Sequence, residues 1–375
     1  YSAAEDQLRA FAEGLGIPVA ETSAGKGSLT GSRWLVGGLG VNGSRAANEL
    51  AFEADLVLCV GTRLTDFTTG SHSLFQDPGV RFVGVNVNAA DAYKLSATAI
   101  VADAREALTG LRAELGSTSI QREIAAPVAA WTADLEAGLQ LRAGEALGQG
   151  EVLQVLNETA RQGDWVVAAA GWQPGDLLKL WKTPPGSFTH IEFGFSCMGH
   201  EIPAGLGVRM HDGDAPEVFV VVGDGTYLMN PTELVTATQE RLKLTVVLLD
   251  NGGYQSISRL ALGSTGTSVG NERRHRGADG RLPDGDTVAV DFVANARSMG
   301  CGAVLAESRE ALRDALAAAR AGEQTTVIVC PTAPDRPLPD SGAFWDLGVP
   351  EVAASVDVRD RSDAHRERAR AQRHY

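Results

Sequence analysis

The residue types best placed to do chemistry lie between Val218 and Ile257, in VFVVVGDGTYLMNPTELVTATQERLKLTVVLLDNGGYQSI. An apolar run ends in Gly223-Asp224-Gly225, a helical pattern follows, and a second apolar run ends in Asp250-Asn251-Gly252-Gly253. In a right-handed strand-helix-strand unit both strands finish on the same edge of the sheet, so Asp224 and Asn251 are expected to meet there. One carboxylate, one amide oxygen and a carbonyl from the glycine turn form an oxygen-only set of the kind magnesium accepts, with room for phosphate oxygens and water. Glycine lets the backbone come close, and Thr226, at the next helix start, offers a hydroxyl and an N–H to a phosphate. An isolated Gly-Asp-Gly reads equally well as a turn capped by Asp224. The second half of the pattern favours the cation.

The elements that must position these residues alternate throughout the chain. Strand-like runs at Ile17 to Thr22, Asp55 to Gly61, Arg81 to Val87 and Ile100 to Asp103 are separated by helical patterns, as in units built around a parallel sheet. Residues 116–150 are rich in Ala, Glu and Leu without strand runs, and read as a helical connector. Alternation resumes with strands expected at Trp165 to Ala170, Val218 to Val222, Leu244 to Asp250, Ala303 to Ala306 and Thr325 to Cys330. Helical patterns lie between them at Glu151 to Arg161, Ile202 to Met210, Pro231 to Glu240, Val290 to Ser298 and Arg309 to Ala321. The expected architecture is α/β, with two doubly wound parallel-sheet domains: residues 1–115, the connector 116–150, residues 151–335, and a C-terminal tail, 336–375. The Arg-rich tail is expected to pack on a neighbour or lie in solvent.

Composition narrows the partners. A net charge of -14 repels nucleic acid and anionic membrane surfaces, and no apolar run approaches bilayer-spanning length. Cys59, Cys197, Cys301 and Cys330 lie far apart with no CxxC pair, which points to neither a zinc site nor a disulfide framework and suits a reducing cytoplasm. Gly38-Leu39-Gly40-Val41-Asn42-Gly43 satisfies the dinucleotide pattern GxGxxG, but Trp34-Leu35-Val36 before it is too short for a convincing strand, so an ordinary glycine loop is favoured. Ser196 sits in GFSCM, which lacks the second glycine of a nucleophile elbow.

The 25 residues between Gly225 and Asn251 are the interval of the thiamine-diphosphate fingerprint, which this stretch resembles. The resemblance implies that Asp224 and Asn251 bind Mg2+ through side chains and Gly253 through its carbonyl, while Gly223, Gly225 and Thr226 hold the diphosphate. Upstream, Gly194-Phe195-Ser196-Cys197-Met198-Gly199-His200 resembles the segment whose bulky residue, here Met198, bends the cofactor, and whose carbonyl, here at Ser196, accepts from the aminopyrimidine. By the same resemblance Gly171, Trp172 and Gln173 form a further diphosphate loop, and Tyr254, Gln255 and Ile257 line the cofactor. For Met198 the alternative is an ordinary core methionine.

GKGSL, GTRLTDFTTG, CMGHEIPAGLGV, PTELVTA, PDSGAFWD and the closing QRHY together resemble the trihydroxycyclohexanedione hydrolases of inositol breakdown over nearly the whole chain. That family, related to acetolactate synthases and pyruvate decarboxylases, opens a cyclic 1,2-dione through the thiazolium carbanion of thiamine diphosphate, with carbon-carbon cleavage and hydration. The implied substrate is a small carbonyl compound. Gly253-Tyr254-Gln255, His200 and Trp172 depart from the pattern on the substrate side. His200 and Gln255 are the candidates for acid-base work, against a surface or hydrogen-bonded core role for His200.

The glutamate that activates the cofactor in relatives lies on an N-terminal pyrimidine-binding domain, and residues 1–375 are accounted for by the other two domains. The expectation is that a second polypeptide or a missing N-terminal third supplies it, that the isolated chain turns nothing over, and that dimers or tetramers of such pairs form. Two other readings stay open: a carboligase or 2-oxo acid decarboxylase subunit, and a non-catalytic scaffold. Retained Asp224, Asn251 and Met198 argue against the scaffold.

Overall fold

The computed structural model describes residues 2–141, 144–213 and 216–373. Arg142 and Ala143 of the expected connector, and the His374-Tyr375 end of the tail motif, lie outside them. The chain forms two compact units, Tyr1–Leu135 with Pro339–Tyr375, and Glu136–Leu338.

The first unit holds five parallel strands in two ladders. β1 (Val19–Glu21) pairs with β2 (Leu35–Gly38), and β3 (Leu56–Val60), β4 (Arg81–Asn86) and β5 (Thr98–Val101) pair in that order. The strand β2 corrects the expectation that residues 34–36 are too short to form one: it continues through Gly37 and Gly38, and the helix Arg45–Phe52 follows. The glycine loop between them is closed by Asn48, whose side chain accepts from Gly40 N at 2.8 Å and donates to Gly40 O at 3.0 Å. A Cβ on Gly40 would lie 2.1 Å from Phe67 O, so this glycine serves close backbone packing.

Two parts of the tail behave differently: in the helix Val356–Ala369 only Ser362 is buried, so its arginines lie in solvent as expected, while the flanking segments bond to the protein. These segments fold back onto this unit: Asn48 Nδ2 donates to Ser341 O at 2.9 Å, Trp345 Nε1 to Asp66 Oδ2 at 3.0 Å, and Gln372 Nε2 to Ser71 O at 2.9 Å. Trp345 also meets Phe67 edge-on at 4.6 Å. These bonds hold the two ends of the tail, on either side of the exposed Arg-rich helix.

The second unit is a six-stranded parallel sheet in the order β10-β11-β9-β8-β6-β7, formed by β6 (Trp165–Ala168), β7 (Phe188–Ile191), β8 (Val218–Gly223), β9 (Thr245–Asp250), β10 (Gly302–Leu305) and β11 (Thr326–Pro331). All six residues of β8 are buried, as a central strand covered on both faces requires. One face packs Val166, Phe219, Val221 and Val247 against Leu153, Leu156, Leu177 and Leu316 of the helices Gln149–Thr159, Gln173–Leu180 and Arg309–Ala321. The other packs Val167, Val220, Val246 and Leu248 against Ile202, Leu206, Leu234 and Phe292 of the helices Glu201–His211, Glu233–Gln239 and Phe292–Ser298. Alternate residues of each strand thus serve opposite layers. Edge strand β7, with the mixed sequence FTHI, is an element the apolar patterning did not signal.

Sheet order determines what can meet. The chain leaves β6 for β7 on one side and returns to β8 on the other, so the ends of β6 and β8 flank the switch point where ligands bind in open α/β sheets. In the β8–β9 ladder Gly223 pairs with Leu249, which brings Asp224 and Asn251 to one edge.

The helix Glu201–His211 lies close on β8 because Gly205 has no side chain: a Cβ there would sit 2.5 Å from Val220 Cγ2. Although alanine favours helix over glycine by about 1 kcal/mol, Gly205→Ala is expected to destabilise the protein by about 1–3 kcal/mol through overpacking. A urea midpoint equal to that of the parent would show that the helix yields freely.

Candidate functional site

The centre of the site is the junction of β8 and β9. The Asp224 carboxylate is fully buried, and the polar end of the Asn251 side chain lies 3.1 Å from Asp224 Oδ1 and 2.9 Å from the Gly253 carbonyl oxygen. With its amide nitrogen turned to them, Asn251 donates to both. Rotation of the amide by half a turn presents its oxygen to the same two atoms. The three groups named in the sequence as an oxygen set therefore converge on one point. Among the described residues no cluster of three or more His, Cys, Asp and Glu side chains could hold a metal, so a cation here depends on this mixed set of carboxylate, amide and carbonyl.

Two glycines in the set are required by their surroundings. A Cβ on Gly253, whose φ is 146°, would meet Asn271 O at 2.3 Å and Glu272 Cα at 2.9 Å. A Cβ on Gly225 would strike the Tyr254 ring at 2.7 Å, so Tyr254 lies directly over the Gly-Asp-Gly turn. Gln255 is buried and its Nε2 donates to Asn251 O at 3.1 Å, which makes it a brace for the turn. Ile257 is exposed on the first turn of the helix Gln255–Thr265.

Thr226 is turned inward. Its hydroxyl accepts from Gly199 N at 2.7 Å and faces both oxygens of Glu201, at 3.1 and 3.0 Å, leaving the backbone N–H as its offering to an anion. Glu201 Oε1 also accepts from Ala170 N at 3.1 Å. One buried carboxyl thus ties the end of β6, the Met198 segment and the Gly-Asp-Gly turn together. Burial pushes the Glu201 carboxyl up, against the opposing hydrogen bonds from backbone and Thr226. Glu201 was not a sequence candidate; its only signal is an acidic residue directly before an apolar helical pattern.

The loop after β6 closes the other side. Gly171 has a φ of 97°, and the buried Gln173 amide fills the space that side chains at Gly171 and Gly223 would need. Trp172 stacks under the Arg259 guanidinium, 4.1 Å from the ring centroid.

The segment 194–200 curls around Glu192. That carboxylate accepts from Phe195 N at 3.0 Å and Cys197 N at 2.9 Å. Burial opposes ionisation of Glu192, but backbone donors from Cys197, Phe195 and Gly194 outweigh it and hold the carboxyl below its usual range. Ser196 takes a left-handed φ of 52° in this curl, a conformation that favours glycine. Met198 is 42% exposed, which excludes an ordinary core methionine. Beyond it His200 Nε2 lies 3.1 Å from His190 Nε2. His190, a residue the sequence names but cannot place, is brought to His200 by the unforeseen strand β7.

A second missed residue is Arg273. Its Nη1 contacts Asp224 Oδ2, and its Nη2 donates to Asp250 Oδ1 at 2.7 Å. The sequence signal was a basic run, Arg273-Arg274-His275-Arg276, with nothing to tie it to the site.

Comparison with known proteins gives two family matches: the central domain of thiamine pyrophosphate enzymes over residues 1–111, and their C-terminal TPP binding domain over residues 173–330. Among similar curated proteins, 3D-(3,5/4)-trihydroxycyclohexane-1,2-dione hydrolase 1 of Bacillus cereus is 37% identical over 96% of this chain. The hydrolases of that name from Bacillus anthracis and Bacillus thuringiensis are each 36% identical over the same share. The chain spans 60% of the length of these relatives.

Burial, then the nearby His200, hold His190 below its ordinary value of 6.5, with Glu192 opposing. Because the unfolded chain then binds the proton more readily, stability is full above pH 6.5 and falls as pH drops below it. The expected result is a melting temperature that declines on acidification from pH 7 to 5 more steeply in the parent than in His190→Gln. Parallel pH curves would remove His190 as the group responsible.

Proposed function

The chain belongs to the thiamine pyrophosphate enzymes through its central and C-terminal domains, and from that premise we propose that it holds the diphosphate end of thiamine diphosphate through Mg2+. The proposed reaction makes or breaks a carbon-carbon bond next to a carbonyl. Ring opening of a cyclic 1,2-dione is the form closest to the relatives' named activity. The observation that carries this reading is that Asp224 Oδ1 and the Gly253 carbonyl oxygen both lie within 3.1 Å of the Asn251 amide.

The set fits magnesium in size as well as chemistry. Oxygens at about 2.0–2.1 Å from an octahedral ion stand about 2.9 Å from their neighbours, and the two separations here are 2.9 and 3.1 Å. Three protein oxygens leave sites for diphosphate oxygens and water. When bound, the cofactor supplies a nucleophilic thiazolium carbon for attack on a carbonyl. The chain's own residues do the rest of the work assigned to this half. Asp224, Asn251 and Gly253 would fix the cation, and the backbone N–H of Thr226 would face the diphosphate. Gly225 would approach it by its lack of a side chain, while its own N–H donates to Asp224 Oδ1 at 2.9 Å. Met198, exposed on its loop, would wedge under a bound ring system, and the Ser196 carbonyl would accept from its aminopyrimidine. His190 is kept neutral near pH 7, so its Nε2 and that of His200 can share and pass a single proton on the substrate side.

Activation of the cofactor is assigned to a glutamate on a pyrimidine-binding domain outside these 375 residues, either on a second polypeptide or in a preceding segment. The working assembly is then a dimer or tetramer of completed sites in the cytoplasm. No described helix is long and apolar enough to cross a membrane.

The test uses the completed assembly. Asp224→Ala is expected to weaken Mg2+-dependent binding of thiamine diphosphate by more than about 100-fold, beyond the loss typical of a partner outside the ligand set. Calorimetric titration measures this, and parallel assays with a cyclic 1,2-dione and with pyruvate read the substrate class. Affinity equal to that of the parent would defeat the cofactor reading; turnover of pyruvate alone would replace the dione by a 2-oxo acid.

A further inference from the structure

Arg273 is placed with more care than a surface cation needs. Its backbone is locked onto the turn that carries the Gly253 carbonyl: Arg273 N donates to Gly252 O at 2.8 Å, Tyr254 N donates to Asn271 O at 2.7 Å, and Glu272 bridges Gly253 as an antiparallel partner. Val288 N donates to Arg273 O at 2.8 Å from the other side. The guanidinium is largely buried, lies 5.3 Å from the Phe292 ring centroid, and joins Asp224 Oδ2 to Asp250 Oδ1. Asp224 is therefore divided between two tasks. Oδ2 meets Arg273, while Oδ1 faces the Asn251 amide and accepts from Gly225 N at 2.9 Å.

The charge balance follows from this division. Arg273 cancels one negative charge of the Asp224–Asp250 pair, so the pair has at most one uncompensated negative charge to offer. A divalent cation entering alone would leave a net positive charge in a buried pocket, which low-dielectric surroundings penalise. A diphosphate arriving with the cation removes that excess. We propose that Arg273 is the positioning residue of this centre: it aims one oxygen of Asp224 at the cation and, by its charge, makes tight cation binding conditional on the diphosphate. This rests on the reading of the site as a magnesium and diphosphate centre, and adds to it the order in which the two are accepted.

The experiment measures Mn2+ binding to the completed assembly by electron paramagnetic resonance, with and without inorganic pyrophosphate or thiamine diphosphate. The quantity read is the factor by which either anion tightens Mn2+ binding. Arg273→Gln removes the charge and is expected to reduce that factor by about 10-fold, the lower end of effects seen for partners of metal ligands, chiefly by tightening Mn2+ binding in the absence of anion. Arg273→Lys keeps the charge without the two-pronged geometry, and its factor is expected to stay close to that of the parent. An unchanged factor in Arg273→Gln, or an equal loss in Arg273→Lys, would overturn the proposal. A parent protein that binds no Mn2+ even with the anion present would overturn the cofactor reading itself, an outcome that needs neither variant.

Discussion

A carboxylate with no exposed surface must have its charge and lone pairs answered from within the protein, and Asp224 sets that requirement for the whole C-terminal unit. One of its oxygens faces a guanidinium and the other a cluster of neutral polar atoms. Meeting the requirement needs β8 and β9 as parallel neighbours in a fixed register, a glycine turn after each, and a returning segment that lies across Gly253. A shift of one residue between the strands would point their alternating side chains to the wrong layers and separate Asp224 from Asn251. The packing of two helical layers on the sheet is in this sense the support for one ionised group.

Glu201 carries the same logic to a wider circle. It sits outside the oxygen set, yet it touches the end of β6 through Ala170 and the Gly-Asp-Gly turn through Thr226, whose hydroxyl is held in turn by Gly199. Three loops that come from distant parts of the chain share one buried acid. Their mutual placement is thereby fixed by hydrogen bonds with little freedom to relax.

Much of this was legible in the residue pattern, and the exceptions have physical causes. β8 and β9 are central strands buried on both faces, so their unbroken apolar runs announced both the strands and the edge where Asp224 and Asn251 meet. β7 is an edge strand with one flank open, needs no such run, and left FTHI without a periodic signal. The placement of His190 was lost with it. Glu201 and Arg273 were hidden because a buried charge is defined by its partners, and those partners lie 25 and 49 residues away. Thr226 was recognised as important from its position after Gly225, but the inward turn of its hydroxyl depends on Glu201. In the tail the arginines announced an exposed helix, whereas the bonds made by Ser341, Trp345 and Gln372, which fasten its ends, left no mark in the composition.

The return of the tail also has a consequence in time. Asn48 and Ser341, joined by a hydrogen bond, are 293 residues apart in the chain. At a ribosomal pace of roughly 5–20 residues per second, the early partner waits between about a quarter of a minute and a minute for the later one to be made. The intervening six-stranded sheet is synthesised during that interval, and its strands pair with one another. Nascent chains should therefore mature out of order, with the middle of the polypeptide reaching its final form before the beginning does.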